Sequence, residues 1–210
     1  MLLQQARWDV VAACRAMSRE GLVVATAGNV SVRDGDLLAI SPSGLSYEAL
    51  TPELVGVHDL DGEPVDARLT PSSELPLHLL VYARTPARAV VHTHAPASTA
   101  LGLVADELPA AHCYIALFGG AVRVAPYARF GTAELAALVG AALEGRTGAL
   151  MAQHGAVTIG DTLGQALDRA RYLEHLCDVQ LRALATGRPV RTLSPADLAA
   201  AVEALRPTSP

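Results

Sequence analysis

Midway along the chain stands Ala89-Val-Val-His-Thr-His94, an apolar run with two imidazoles in it. Its length and β-branched content read as a central strand, and the segments around it decide what it is central to. Upstream, β-like pieces at residues 22–25, 29–33, 37–41 and 55–59 are punctuated by turns such as Asp34-Gly35 and Asp61-Gly62. Such short spacing predicts hairpins rather than crossovers. Before them, Leu3, Val10, Cys14 and Met17 recur near helical spacing, with Arg7, Arg15 and Arg19 elsewhere, so a helix is expected from the start to about residue 20, ended by Gly21.

After residue 70 the pattern turns helical. A helix is expected over 72–82, with Pro76 tolerable in its first turn. Beyond the central run come a short helix at 98–104, a strand at 119–125, and a helix from a Thr132 cap to about 143. Strands at 148–151 and 156–159 flank a turn at His154-Gly155. Asp161 opens the longest helical pattern, which closes at Gly187, and Ser194-Pro195 opens a last helix that Asp197 can cap reciprocally. Strands first and helices interleaved later give one α/β domain over residues 1–210, a sheet covered by helices, without internal repeats or linkers.

Composition removes whole classes of chemistry. All 16 basic residues are arginine, so Schiff-base aldolases, pyridoxal-phosphate enzymes and Walker-type phosphate loops are excluded. A net charge of −5 with 4% aromatic residues argues against nucleic acid as a partner. The three cysteines, Cys14, Cys113 and Cys177, are far apart and outside any CxxC spacing, as in a reducing compartment. No basic, signal-like stretch precedes an apolar one, and no window is long and apolar enough for a membrane span, so a cytoplasmic protein is expected.

His92 and His94 lie two apart, and the period of a strand sends both rings to one face, where they can chelate one metal ion. Left unpaired in a valine-rich interior, two imidazoles would be costly. A cupin would place a glutamate three or four residues on, where Ala97 and Ser98 stand; a metallo-β-lactamase would continue with Asp-His, where Ala95-Pro96 follows; a barrel amidohydrolase would carry the pair on its first strand. His154, where a buried strand breaks into a turn, completes a tripod. Thr70-Pro71-Ser72-Ser73-Glu74 opens a helix with free amides and two hydroxyls, which suits an anion such as phosphate. His78 shares a helical face with Glu74 and competes as a ligand, with a supporting or core role the better reading.

Taken together, Thr26-Ala-Gly-Asn-Val-Ser-Val-Arg33, Ser41-Pro-Ser-Gly-Leu45, Pro71-Ser-Ser-Glu74, Val90-Val-His-Thr-His94, Ala125-Pro-Tyr-Ala-Arg-Phe-Gly-Thr132 and Gln153-His-Gly155 resemble the class II aldolase/adducin family over nearly the whole chain, most closely its bacterial L-fuculose-phosphate aldolase branch. The resemblance implies a three-layer α/β/α fold with a mixed, largely antiparallel sheet, and a homotetramer with active sites between neighbours. It implies zinc on His92, His94 and His154, with Glu74 as a fourth ligand that leaves when substrate arrives and then serves as general acid/base. The family's phosphate pocket maps onto Asn29, Ser43, Gly44, Ser72 and Ser73.

The implied reaction is the cleavage of a ketose 1-phosphate to dihydroxyacetone phosphate and a small aldehyde through a metal-stabilised enediolate. Two departures touch the aldehyde end. Cys113 stands where the family has a tyrosine, with Tyr114 one residue later, and the tail Leu205-Arg-Pro-Thr-Ser-Pro210 lacks the fuculose-phosphate enzyme's tyrosine. Tyr114 is the expected substitute, provided a bulge or shift turns it toward a neighbouring subunit's site. A sugar-acid phosphate decarboxylase, a dehydratase and an epimerase are the alternatives within the family, the epimerase disfavoured because it carries aspartate in place of Glu74. A non-catalytic adducin-like module is disfavoured by the retained metal residues.

Overall fold

The computed structural model describes residues 1–205. Its strands are β1 (Asn29–Asp34), β2 (Leu37–Ile40), β3 (Gly56–Asp59), β4 (Pro64–Asp66), β5 (Ala89–Thr93), β6 (Glu107–Leu108), β7 (Val122–Ala125), β8 (Gly148–Met151) and β9 (Gly155–Gly160). They form one sheet in the order β4-β3-β2-β1-β5-β9-β8-β7-β6, and the predicted central strand is its fifth. Every neighbouring pair is antiparallel except β7 with β8. The expected hairpins are there: β1 turns into β2 and β8 into β9.

The helices are α1 (Gln4–Arg19), α2 (Leu75–Arg84), α3 (Pro96–Leu101), α4 (Ala133–Ala142), α5 (Leu163–Leu184) and α6 (Pro195–Ala204). Alternation along β5 sorts them into two layers. Ala89 and Val91 pack with residues of α1 and of the first turns of α5, whereas Val90 packs with residues of α2 and α4. All five residues of β5 are buried, as a strand covered on both faces requires. Arg7, expected on the polar side of α1, is 2% exposed. Its guanidinium donates to the carbonyls of Leu2 and Val55 and pairs with Asp66, tying α1 to the sheet's β4 edge.

Several boundaries differ from expectation. Residues 22–25 form no strand: Ala25 takes φ +52°, which breaks extension, while Leu22 and Val23 plug the core. The Leu22 carbonyl accepts the N–H of His94 at 3.0 Å. Helix α2 begins at Leu75 rather than 72, because Pro71 and Ser72 are held by the 41–43 loop and Ser73-Glu74 form a turn: Pro42 bridges Pro71, Ser72 N–H donates to the Ser41 carbonyl, and Ser43 N–H to that of Thr70. Thr162, not Asp161, caps α5 by accepting the Gln165 N–H. Strands β4 and β6 are too short and too exposed to leave a periodic signal. Cys113–Phe118 is a 3-10 helix, so the strand alternation assumed for Cys113 and Tyr114 does not apply. The tyrosine-free tail, residues 206–210, lies outside the described residues.

Candidate metal centre and active site

Three chain segments meet at the C-terminal end of β5. His92 is the fourth residue of that strand, and His94 stands one residue past its end, held by its N–H to Leu22. His154 occupies the β8–β9 turn after Gln153, whose φ of +52° bends the chain sharply. Glu74 sits at the N-cap position of α2. The ring centroids of the three histidines lie 4.7–4.9 Å apart. One ligand atom from each of Glu74, His92, His94 and His154 lies within 4.8 Å of every other.

The tautomer of His92 is set from behind. Its Nδ1 donates to the Ala156 carbonyl at 2.9 Å, so Nε2 faces the cluster, 2.9 Å from both His94 Nε2 and Glu74 Oε2. Burial pushes His94 and His154 down to about 4, so both are neutral near pH 7 and offer lone pairs. Burial disfavours the Glu74 carboxylate, but the imidazoles of His92 and His154 and the Asn29 amide outweigh it and hold the group below the usual carboxylate range. Glu74 in turn raises His92 against the effect of burial. Glu74 Oε1 is buried without a hydrogen-bond partner and lies 3.5 Å from His154 Nε2. A buried carboxylate oxygen left in that state, among three imidazoles, is a donor set that could hold a divalent cation.

A cavity of about 420 Å³ opens beside the cluster. Every residue of the expected phosphate set, Asn29, Ser43, Gly44, Ser72 and Ser73, lines it together with Glu74, His94 and His154. The loop pairing that delays α2 also lays Ser43-Gly44 beside Ser72-Ser73. Gly28 permits the remaining wall: it has φ +76°, and a Cβ there would lie 2.7 Å from the His92 carbonyl oxygen. Asn29 spends one amide hydrogen on Glu74 Oε2 at 3.0 Å. Tyr127 and Phe130, both 64% exposed, also line the cavity and were not singled out from the sequence, although two large exposed aromatics inside a recognised motif were signal enough.

Tyr114 is absent from that cavity. It lies on the 3-10 helix, 37% exposed, with its ring 4.9 Å from Tyr172 and 5.1 Å from His112, and Cys113 beside it is exposed. A larger cavity, about 690 Å³, opens at the other end of β5 and is lined by Arg84, Arg146 and Arg169 but by none of the cluster. His78 coordinates nothing in the cluster: it is fully buried and bonded to Asn29 and Ser31, and burial pushes it down to about 3. Among the described residues no helix is long and apolar enough to cross a membrane.

Comparisons with known proteins establish the family and the fold. The family model described as "Class II Aldolase and Adducin N-terminal domain" matches residues 8–181. The L-fuculose phosphate aldolase of Escherichia coli K12 is 40% identical over 197 residues, covering 93% of this chain and 91% of that protein. A 5-methylthioribulose-1-phosphate/5-deoxyribulose-1-phosphate aldolase of Rhodospirillum rubrum is 42% identical over 193 residues, covering 91% of this chain and 86% of its own. A solved L-fuculose 1-phosphate aldolase superposes with a TM-score of 0.94 at 31% identity, covering 98% of each chain. With its Glu/His3 cluster and relatives matched along nine-tenths of its length, the chain belongs to the class II aldolase and adducin family, as one of its metal-dependent aldolases.

Proposed function

We propose that the protein cleaves a ketose 1-phosphate, of the fuculose or 5-deoxyribulose type that its relatives' names record, into dihydroxyacetone phosphate and a short aldehyde. One observation carries the reading: a buried three-histidine and one-carboxylate cluster shares a cavity with a cradle of hydroxyls and backbone amides. His92, His94, His154 and Glu74 would hold one zinc ion per chain, since three imidazole nitrogens and a carboxylate suit zinc best. When bound, it supplies a Lewis acid for the electron pair released as the carbon–carbon bond breaks, a sink this lysine-free chain cannot provide through an amine.

The chain's own groups do the remainder. Ser43, Gly44, Ser72, Ser73 and Asn29 take the substrate phosphate through neutral donors, which fixes the ketose at one end. Glu74, facing the cluster and the cavity at once, holds and moves the proton at the donor carbon. Tyr114 from a neighbouring copy serves the departing aldehyde oxygen, which makes the working form a homotetramer with shared sites in the cytoplasm. The exposed surface around Tyr114 and Tyr172 supports that assignment, because it lies outside its own chain's cavity and is open to a neighbouring copy. The test is a panel of ketose 1-phosphates assayed for dihydroxyacetone phosphate release, with metal content measured on the same sample. Release in proportion to bound zinc is expected. A zinc-loaded protein that decarboxylates sugar-acid phosphates and releases no triose phosphate would overturn the reading.

A further inference from the structure

Behind the cluster runs a buried hydrogen-bond chain whose inner members, Ser31, His78 and Tyr82, have no part in the proposed chemistry. Strand β1 turns Asn29 and Ser31 toward α2, and α2 answers with Glu74, His78 and Tyr82 at intervals of four. Two strand residues advance about 6.6 Å and four helix residues about 6 Å, so the two rows interdigitate. Tyr82 Oη lies 2.6 Å from Ser31 Oγ, which lies 2.6 Å from His78 Nδ1. His78 Nε2 lies 2.5 Å from Asn29 Oδ1, and Asn29 Nδ2 lies 3.0 Å from Glu74 Oε2. All five residues are at most 5% exposed.

Such a chain has one consistent direction when its end is an anion. The Glu74 carboxylate only accepts, so the Asn29 amide must offer its N–H side, which leaves Oδ1 for His78. An amide oxygen only accepts as well, so His78 must carry its proton on Nε2, and its bare Nδ1 must receive the Ser31 hydroxyl hydrogen. Tyr82 then donates to Ser31. A flipped Asn29 would set its oxygen 3.0 Å from Glu74 Oε2 and leave two acceptors facing one another in a dry interior.

We propose that His78, backed by Ser31 and Tyr82, is a positioning residue: as the Nε2–H tautomer it locks the Asn29 amide so that its N–H side faces Glu74 and, with its second hydrogen, the cavity. The inference rests on the metal-site reading for what Glu74 does, and on hydrogen-bond chemistry alone for the tautomer. Its consequence is a carboxylate kept ionised and aimed, and a cavity wall that presents a donor rather than an oxygen to an incoming anion.

The experiment uses full-length protein labelled with ¹⁵N-histidine, unaltered and as Ser31→Ala, Ser31→Thr and His78→Phe. Long-range ¹⁵N–¹H spectra should show His78 with a protonated Nε2 and a bare Nδ1. The opposite tautomer in the unaltered protein overturns the proposal. Ser31→Ala removes the donor at Nδ1 and leaves the Nε2–H tautomer held from the Asn29 side alone, so the Nδ1 resonance of His78 should shift while Nε2 stays protonated, and zinc affinity, measured by chelator competition, should fall about tenfold or more, within the range typical of partners behind metal ligands. Ser31→Thr keeps the hydroxyl and should restore both the resonance and the affinity. His78→Phe should fall at least as far, and if it does not fold, Ser31→Ala still decides. An unchanged Nδ1 resonance and unchanged affinity in Ser31→Ala overturn the proposal. The tautomer is read with or without zinc, so failure of the unaltered protein to bind the ion refutes the metal reading separately.

Discussion

Replacing Gly155 by alanine tests whether the close approach of two strands builds the cluster. Gly155 opens β9 directly beyond His154, and a Cβ added there would stand 2.1 Å from the Thr93 carbonyl oxygen, 3.2 Å from its carbon and 3.4 Å from His94 Cα. Ordinary contact begins near 3.4 Å, so strands β5 and β9 must part by about 1.3 Å locally. That movement lengthens a ladder bond of about 2.9 Å beyond useful range. The cost is an overpacking term of about 1–3 kcal/mol, plus roughly 0.5–1.5 kcal/mol for each ladder bond weakened. A loss of about 2–4 kcal/mol is expected, or a Tm lower by roughly 5–15 °C for a chain of this size. Because the displaced atoms belong to the segments that carry His94 and His154, zinc affinity should fall in the same variant. Gly164→Ala is the control: its Cβ meets only Thr162 Oγ1, at 4.0 Å, inside the first turn of α5, and it should gain about 0.5 kcal/mol. The assay is denaturant unfolding with zinc titration. A Gly155→Ala protein within 0.5 kcal/mol of the unaltered one and binding zinc normally would refute the reasoning.

His94→Ala should leave a folded protein that retains no zinc, checked by circular dichroism and metal analysis, since two imidazoles and a carboxylate hold the ion far less well than three and one. Ser73→Asp sets a negative charge in the cradle and should raise KM for phosphorylated ketoses at least tenfold in steady-state assays. Tyr114→Phe should slow cleavage more than proton exchange at the donor carbon, measured by NMR in deuterated water, whereas Cys113→Ala should alter neither. The metal-stripped protein should lose stability between pH 6.5 and 4. His94 and His154 are pushed down to about 4 and His78 to about 3 from an ordinary 6.5, so the unfolded chain takes up protons that the folded one refuses, and only His92, raised by Glu74, opposes them. A urea midpoint flat over that window would contradict the assignment.

The sheet's middle was legible because strand alternation and burial agree there: Ala89, Val90 and Val91 are apolar on both faces, and both faces are covered. Residues 22–25 misled for the same reason, since Leu22 and Val23 are as apolar as a strand yet serve as a plug under His94, fixed by one backbone bond. Arg7 misled in the opposite sense. Its guanidinium is buried because the backbone carbonyls of Pro52, Val55 and Asp66 and the Asp66 carboxylate surround it, and no spacing in the sequence records that they converge.

For the site, the candidate metal ligands were legible because each carries its chemistry in its own side chain, and one strand, one turn and the start of α2 bring them together. The proposed phosphate cradle needed more, because Ser43 and Ser72 meet only through the pairing of two loops at Pro42 and Pro71, and a hydroxyl in a loop has many ordinary uses. The row Glu74, His78, Tyr82 faces the row Asn29, Ser31, and both periods were in plain view. What hid the match was register: Asn29 stands opposite His92 only because β1 pairs with β5, across 60-odd residues of chain. His78 thus read as a rival ligand at helical spacing from Glu74. The fold makes it the group that tells Asn29 which way to face, a role that depends on where a proton sits rather than on which residue is present.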